Sequence, residues 1–261
     1  PNIPSRSARD PTPGLRTEGR AIRSPRATMH YDHQVFSLQS CMSWPTLPAV
    51  AEGFAAAGST LENVRRDFVE WHLGRPRYAL WALDVDTACV RRILDAAQGH
   101  LADLLLGTYR RQAHVTLALR GFPAATPRRH DEFGAAGLDA DLAALTRRAP
   151  TPFLLETGGL ASFTSAPFIS VSDPDGGIAR LRTALHDSDS DPGGPYTPHI
   201  TVGLYAGCWP TGAVAERLHA HPLPTQTLHI ERVCLMAYAP PEIGGPLETL
   251  GSFDLARRCW T

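Results

Sequence analysis

One pattern constrains this chain more than any other: a strand, a helix and a second strand opening on His-x-Thr, and the pattern occurs twice. In the first copy Tyr78–Val85 (YALWALDV) reads as an apolar strand. Thr87–Leu106 follows as an amphipathic helix, and the strand His114–Leu119 (HVTLAL) completes the unit. In the second copy the strand is Phe168–Val171, the helix Gly176–His186, and the last strand His199–Tyr205 (HITVGLY). Repetition of one supersecondary unit predicts two lobes related by a pseudo-twofold axis.

The remaining elements fit around these units. A helix near Asp139–Arg148 and a strand at Phe153–Glu156 connect the copies, and Leu228–Tyr238 and Thr249–Leu255 read as closing strands. The expected fold class is therefore α+β: two mixed or antiparallel sheets flanking a central cleft, with helices outside. Ahead of the first copy, Ser59 and Glu62 form a capping-box pattern. Leu61, Val64, Phe68 and Trp71 recur at helical spacing, and Gly74 supplies a stop, so a helical extension is expected over about 59–73. Residues 1–41 hold six arginines before Ala27 and are rich in Pro and Ser, which predicts a disordered basic tail. The folded domain is expected over 42–261.

Composition excludes several chemistries. All 25 basic residues are arginine, so a lysine adenylated by ATP, a P-loop lysine and a Schiff-base lysine are ruled out. Net charge is −1, so nucleic acid would have to be met by a local patch rather than a global field. Five scattered cysteines, with no C-x-x-C, point to a reducing compartment rather than a disulfide framework or zinc knuckle. No stretch has the length of a signal peptide or membrane span. A cytoplasmic monomer without membrane association is expected.

In a strand, residues i and i+2 share a face. His114 and Thr116 therefore point together, as do His199 and Thr201. Val115, Leu117 and Leu119, and Ile200, Val202 and Leu204, are expected in the core. Continued alternation puts Ala118 and Arg120 on the His face of one strand, Gly203 and Tyr205 on that of the other. The small residues would leave a gap for a ligand above each strand. Two imidazoles facing a phosphate can serve as base and acid, because the ordinary histidine pKa of about 6.5 populates both forms near neutrality. Threonine hydroxyls can donate to the phosphate oxygens on which charge develops. Neither a metal nor another cofactor is called for, and no carboxylate cluster is evident. Arg120 is a candidate phosphate ligand and Tyr205 and Phe163 are candidate base-stacking residues. The loop Arg128–Arg129–His130 and the pair His219/His221 are read as solvated rather than as RNA or metal ligands.

HVTL at His114, PHITV at Pro198–Val202, YALWALDV and FLLETGGLASF (Phe153–Phe163) together resemble the two-histidine (2H) phosphoesterase superfamily, in its branch of 2′-5′ RNA ligases and RNA 2′,3′-cyclic phosphodiesterases. The likeness runs from about Tyr78 to the C-terminus. It implies a bilobal fold with His114, Thr116, His199 and Thr201 as a catalytic tetrad. The implied reaction is metal-free hydrolysis of 2′,3′-cyclic phosphates at an RNA end or on a nucleotide; His199 is taken as base and His114 as acid, although pseudo-symmetry makes the two interchangeable. The same residues would suit a 2′-5′ ligase or 2′-5′ phosphodiesterase, and a cleft without turnover would suit a nucleotide sensor. One position departs from the family pattern: Leu204 stands where an arginine often follows the second motif.

Overall fold

The computed structural model describes residues 47–186 and 196–261; the basic tail expected over 1–41 lies outside them. Its helices are α1 (Leu47–Ala57), α2 (Val69–His72), α3 (Ala88–His100), α4 (Ala135–Arg148), α5 (Gly177–Leu185) and α6 (Thr211–His219). Its strands are β1 (Tyr78–Asp84), β2 (His114–Pro123), β3 (Glu132–Phe133), β4 (Phe153–Ser162), β5 (Pro167–Ser172), β6 (His199–Thr201), β7 (Thr227–Ile230), β8 (Arg232–Tyr238), β9 (Glu248–Asp254) and β10 (Cys259–Trp260). They form a six-stranded sheet in the order β10-β9-β8-β1-β2-β3 and a four-stranded sheet in the order β6-β5-β4-β7. All pairings are antiparallel except β2–β3. The α+β, two-sheet architecture read from the repeat is the one observed.

Both copies of the repeat are present: β1–α3–β2 in the larger sheet and β5–α5–β6 in the smaller. In each, the first strand is flanked by the His-x-Thr strand on one side and a further antiparallel strand on the other, β8 beside β1 and β4 beside β5. β1 is buried on both faces, which explains its unbroken apolar run. Ala79, Trp81 and Leu83 enter the main core, while Tyr78, Leu80 and Ala82 join Phe122, Met236 and Tyr238 on the opposite face. The α3 cap is local: the Thr87 side chain accepts from the Val90 amide.

Three expectations require correction. Of the helix placed at about 59–73, only the last turn forms, as α2 (Val69–His72). The longer helix α1 lies upstream and stops at Gly58, whose φ of +73° suits glycine. Residues 58–68 are irregular because their polar groups find distant partners. Thr60 Oγ1 donates to Gly207 O (2.8 Å) and accepts from the Trp209 amide (2.8 Å), and Asn63 Nδ2 donates to Ser165 O (2.8 Å) and Tyr205 O (3.0 Å). Those bonds displace the local capping box, and Leu61 and Val64 stay exposed. Second, Leu228–Tyr238 is not one strand but two, β7 in the smaller sheet and β8 in the larger, with the chain crossing at Glu231. Two consecutive exposed residues, Glu231 and Arg232, mark the break in alternation. Third, α3 ends at His100 rather than Leu106. Leu104–Leu106 instead pair in extended form with Leu204–Ala206 (Leu106 N to Leu204 O, 2.8 Å; Ala206 N to Leu104 O, 2.9 Å).

Candidate active site

β2 and β6 approach each other where the two sheets meet, and an open cleft of about 960 Å³, its solvent-filled mouth included, lies over them. His114, Thr116, His199 and Thr201 all line it. Both histidines are largely buried, and both threonines are partly accessible.

Each imidazole is held in the same way. His114 Nδ1 lies 2.7 Å from Gln112 O, and His199 Nδ1 lies 2.7 Å from Thr197 O. A carbonyl can only accept, so each Nδ1 carries a proton, and Nε2 is the ring nitrogen with proton-exchange chemistry. The bond reaches the carbonyl two residues back in both strands, and that geometry recurs with the motif.

The strands do not keep simple alternation beyond the threonines. Opposite β1, Thr116 pairs with Ala82 but Ala118 with Trp81, leaving Leu117 as an extra residue. This bulge flips the facing of the residues that follow, until a second shift between Leu119 and Gly121 restores it at Phe122. Ala118 packs in the core, and Leu119 turns to the cleft. β6 does the same by another route. The Val202 amide donates to Pro167 O and the Tyr205 amide to Ser165 O, so three residues advance on one side against two on the other. Leu204 therefore lines the cleft, and Gly203 faces Leu105, where an added Cβ would sit 2.9 Å from Leu105 Cδ1. The expected gap above Ala118 and Gly203 is thus absent, and both motifs read His-x-Thr-x-small-Leu.

The same slips relocate two candidate ligands. Arg120 points away from the cleft and grips Asp141 with two nitrogens (2.6 and 2.9 Å) while donating to Leu185 O (2.6 Å). Asp141 also accepts from Trp81 Nε1 (2.7 Å), so Arg120 ties α4 to the sheet rather than reaching a phosphate in the cleft. Tyr205 is fully buried behind the cleft. Its hydroxyl bonds Ser162 Oγ at 2.6 Å, and burial pushes the phenol up to about 12. Phe163 does line the cleft, where it stands edge-on to His199 at 5.0 Å.

The bulge frees backbone carbonyls, and the opposite lobe satisfies them. Arg182 of α5 donates to Leu117 O, joined by His186 Nε2 at 3.3 Å, and the Tyr196 hydroxyl donates to Thr116 O. Gln98 of α3 reciprocates by donating to Val202 O at 2.9 Å. Each connecting helix therefore holds the residue that follows the other lobe's motif threonine. Burial raises the Tyr196 phenol well above its ordinary range, keeping it a donor.

Electrostatically the histidines differ. Phe163, Phe168 and Tyr196 surround His199 (ring centroids at 5.0, 5.4 and 6.3 Å). Burial lowers its pKa below the usual 6.5, with the Thr197 carbonyl opposing the shift. In register, Ser170 stands opposite His199, whereas Asp84 stands opposite His114.

Several cleft residues had no signal in the motifs: Asn63, Trp71, Tyr109, Arg111 and Tyr238. Asn63 and Trp71 come from a segment ahead of the repeat, Tyr109 and Arg111 from the loop before β2, and Tyr238 from the end of β8, outside both copies. Among the described residues no cluster of three or more His, Cys, Asp or Glu could hold a metal, and no helix is long and apolar enough to cross a membrane. His219 bonds Ala215 O, and His221 stacks on His100 at 4.4 Å. Arg128 and Arg129 are exposed outside the cleft, with their amides donating to Glu132.

The sequence profile of the 2′-5′ RNA ligase superfamily matches residues 86–242. No curated protein matches the chain. Among solved structures, E. coli LigT with NADP+ is 18% identical, covers 70% of this chain and 99% of its own, and superposes with a TM-score of 0.44. E. coli LigT with 3′-AMP gives 18%, 70%, 99% and 0.46. TT0787 of Thermus thermophilus gives 18%, 69%, 98% and 0.45.

Proposed function

The chain belongs to the 2′-5′ RNA ligase superfamily, its profile spanning more than half of the residues, and from that premise we propose that it is a metal-independent phosphoesterase opening 2′,3′-cyclic phosphates of an RNA end or nucleotide. The observation that carries this reading is the pair of matched motifs in one cleft, each imidazole fixed through Nδ1 by the carbonyl two residues back.

His199 acts as base. Its apolar surroundings favour the neutral imidazole, so Nε2 takes a proton from water as the water oxygen bonds to phosphorus. One ribose oxygen leaves, and His114, protonated, donates its Nε2 proton to that oxygen. Asp84 is the cross-strand partner of His114 in the β1–β2 ladder. Ring opening yields a phosphate monoester, and both histidines recover their starting states by exchange with solvent. Thr116 and Thr201 donate to non-bridging oxygens as negative charge builds up.

Hydrolysis of 2′,3′-cyclic nucleotides and of 2′-5′-linked dinucleotides, each with excess EDTA, tests the proposal. Release of a monoester from the cyclic substrate at undiminished rate is expected. Turnover confined to the 2′-5′ dimer would replace it with the ligase-type reading, and loss of activity on chelation would remove the metal-free mechanism.

A further inference from the structure

Residues 59–75 precede the segment matched to the superfamily and form a strap from one lobe to the other. At one end Thr60 and Asn63 are bonded to residues 165 and 205–209 of the smaller-sheet lobe, and the Leu61 amide donates to Thr164 O at 2.8 Å. At the other end Arg75 pairs with Asp131 through both nitrogens (3.0 and 2.9 Å) and stacks on Phe122 at 3.5 Å in the larger-sheet lobe. Between these anchors the strap contributes Asn63 and Trp71 to the cleft lining.

Trp71 enters a compartment unlike the His/Thr floor. Its indole packs on Tyr78 and Phe122, both at 5.3 Å, so the ring is held in place rather than swinging in solvent. Leu80, Leu119 and Tyr238 share one apolar cluster with Trp71, Tyr109 also lines the cavity, and the Arg111 guanidinium lies over Tyr238 at 4.3 Å. Tyr109 is seated against Gly244, whose positive φ and close approach leave no room for a Cβ (2.7 Å to the tyrosine ring). An apolar, aromatic-lined slot in the same cleft as the His/Thr floor matches the two ends of a nucleotide. Stacking accepts any base, because every base offers a π-face.

We propose that the strap builds a nucleobase subsite in which Trp71 is the specificity-determining residue, so that the preferred substrate carries a base next to the reacting phosphate. This rests on the reading of the cleft as a phosphoesterase site. The slot selects for the nucleoside and against a bare sugar phosphate, and it contributes to binding more than to the chemical step.

Binding and turnover separate the two ideas. Titration of the full chain with a nucleoside 3′-monophosphate and with ribose 3-phosphate reads the subsite without any reaction. The nucleotide should bind about tenfold or more tighter, in keeping with stacking worth ~1–3 kcal/mol per base. Trp71→Ala should erase that preference and Trp71→Phe should keep most of it, with ribose phosphate binding unchanged in both. With a 2′,3′-cyclic nucleotide the Trp71→Ala effect should fall on KM and spare kcat. Equal affinity for the two ligands in the wild type, or a Trp71→Ala variant that weakens both alike, overturns the subsite. A wild type that discriminates between the ligands yet turns over no cyclic phosphate refutes the proposed reaction while supporting the slot. If Trp71→Ala fails to fold, Trp71→Leu, which keeps the apolar packing without a π-face, gives the same reading.

Discussion

The two motif-bearing halves share a plan and differ in environment. Both strands fix a histidine by its Nδ1 to the carbonyl two residues back, and both slip by one residue after the threonine so that a leucine enters the cleft. They diverge in what surrounds the imidazole. His199 is enclosed by three aromatic rings with Ser170 opposite, while His114 has Asp84 opposite in its ladder. They diverge also in how they are braced. The carbonyl after Thr116 receives a guanidinium from Arg182, whereas the carbonyl after Thr201 receives the neutral amide of Gln98. A symmetric scaffold thus carries an asymmetric pair, which acid–base chemistry needs because one group must start neutral and the other charged.

The strongest way to break this comparison is to remove each histidine in turn. His114→Ala and His199→Ala should each lower kcat by about 10²–10⁴-fold, with the circular dichroism spectrum retained. Their residual pH profiles should differ: loss of His199 removes the acid-side limb and loss of His114 the alkaline-side limb. Residual profiles losing the same limb would dissolve the assignment of roles. Next in size, Thr116→Val and Thr201→Val should each cost about 10²-fold in kcat with little change in KM, as for loss of one donor to a developing oxyanion. A pure KM effect would make the threonines ground-state ligands instead.

The repeat itself was legible because strand periodicity and the His-x-Thr signature act locally, and the sheets observed follow from it. What sequence could not reveal was any feature decided by a partner far along the chain. Counting twos puts Arg120 and Tyr205 in the cleft, and a one-residue slip in each strand reverses them. The β2 bulge leaves the carbonyls of Leu117 and Thr116 to be satisfied by Arg182 and Tyr196 across the lobe boundary, which no local pattern encodes. The Ser59 capping box failed for the same reason: Thr60 and Asn63 bond to residues 165 and 205–209, and those bonds outweigh a turn of helix. Phe163, by contrast, is read from its ring and its place after a strand rather than from alternation, and it does line the cleft.

The braces offer a subtler test. Arg182→Met leaves the Leu117 carbonyl without its buried guanidinium donor and should cost about 1–3 kcal/mol of stability, whereas Gln98→Leu should cost about 1 kcal/mol. Equal losses in denaturant melts would show that the two halves are braced alike despite the different donors.

The smallest effect reports most directly on the difference between the histidines. Burial lowers the His199 pKa, so the imidazole stays neutral at lower pH than a free one. The acid limb of kcat/KM should therefore lie below about 6.5. The stability counterpart has the same origin. The unfolded chain takes up this proton more readily than the native state, so the contribution is complete above the unfolded pKa and is lost as pH falls through the folded one. Phe163→Ala removes the ring standing edge-on to His199 and admits water, which raises the pKa toward its ordinary value. The acid limb should move to higher pH by a fraction of a unit, and Phe163→Leu, which keeps the site dry, should leave it in place. An unmoved limb in Phe163→Ala would mean that the group titrating on the acid side is not His199, and the base would then have to be sought at His114.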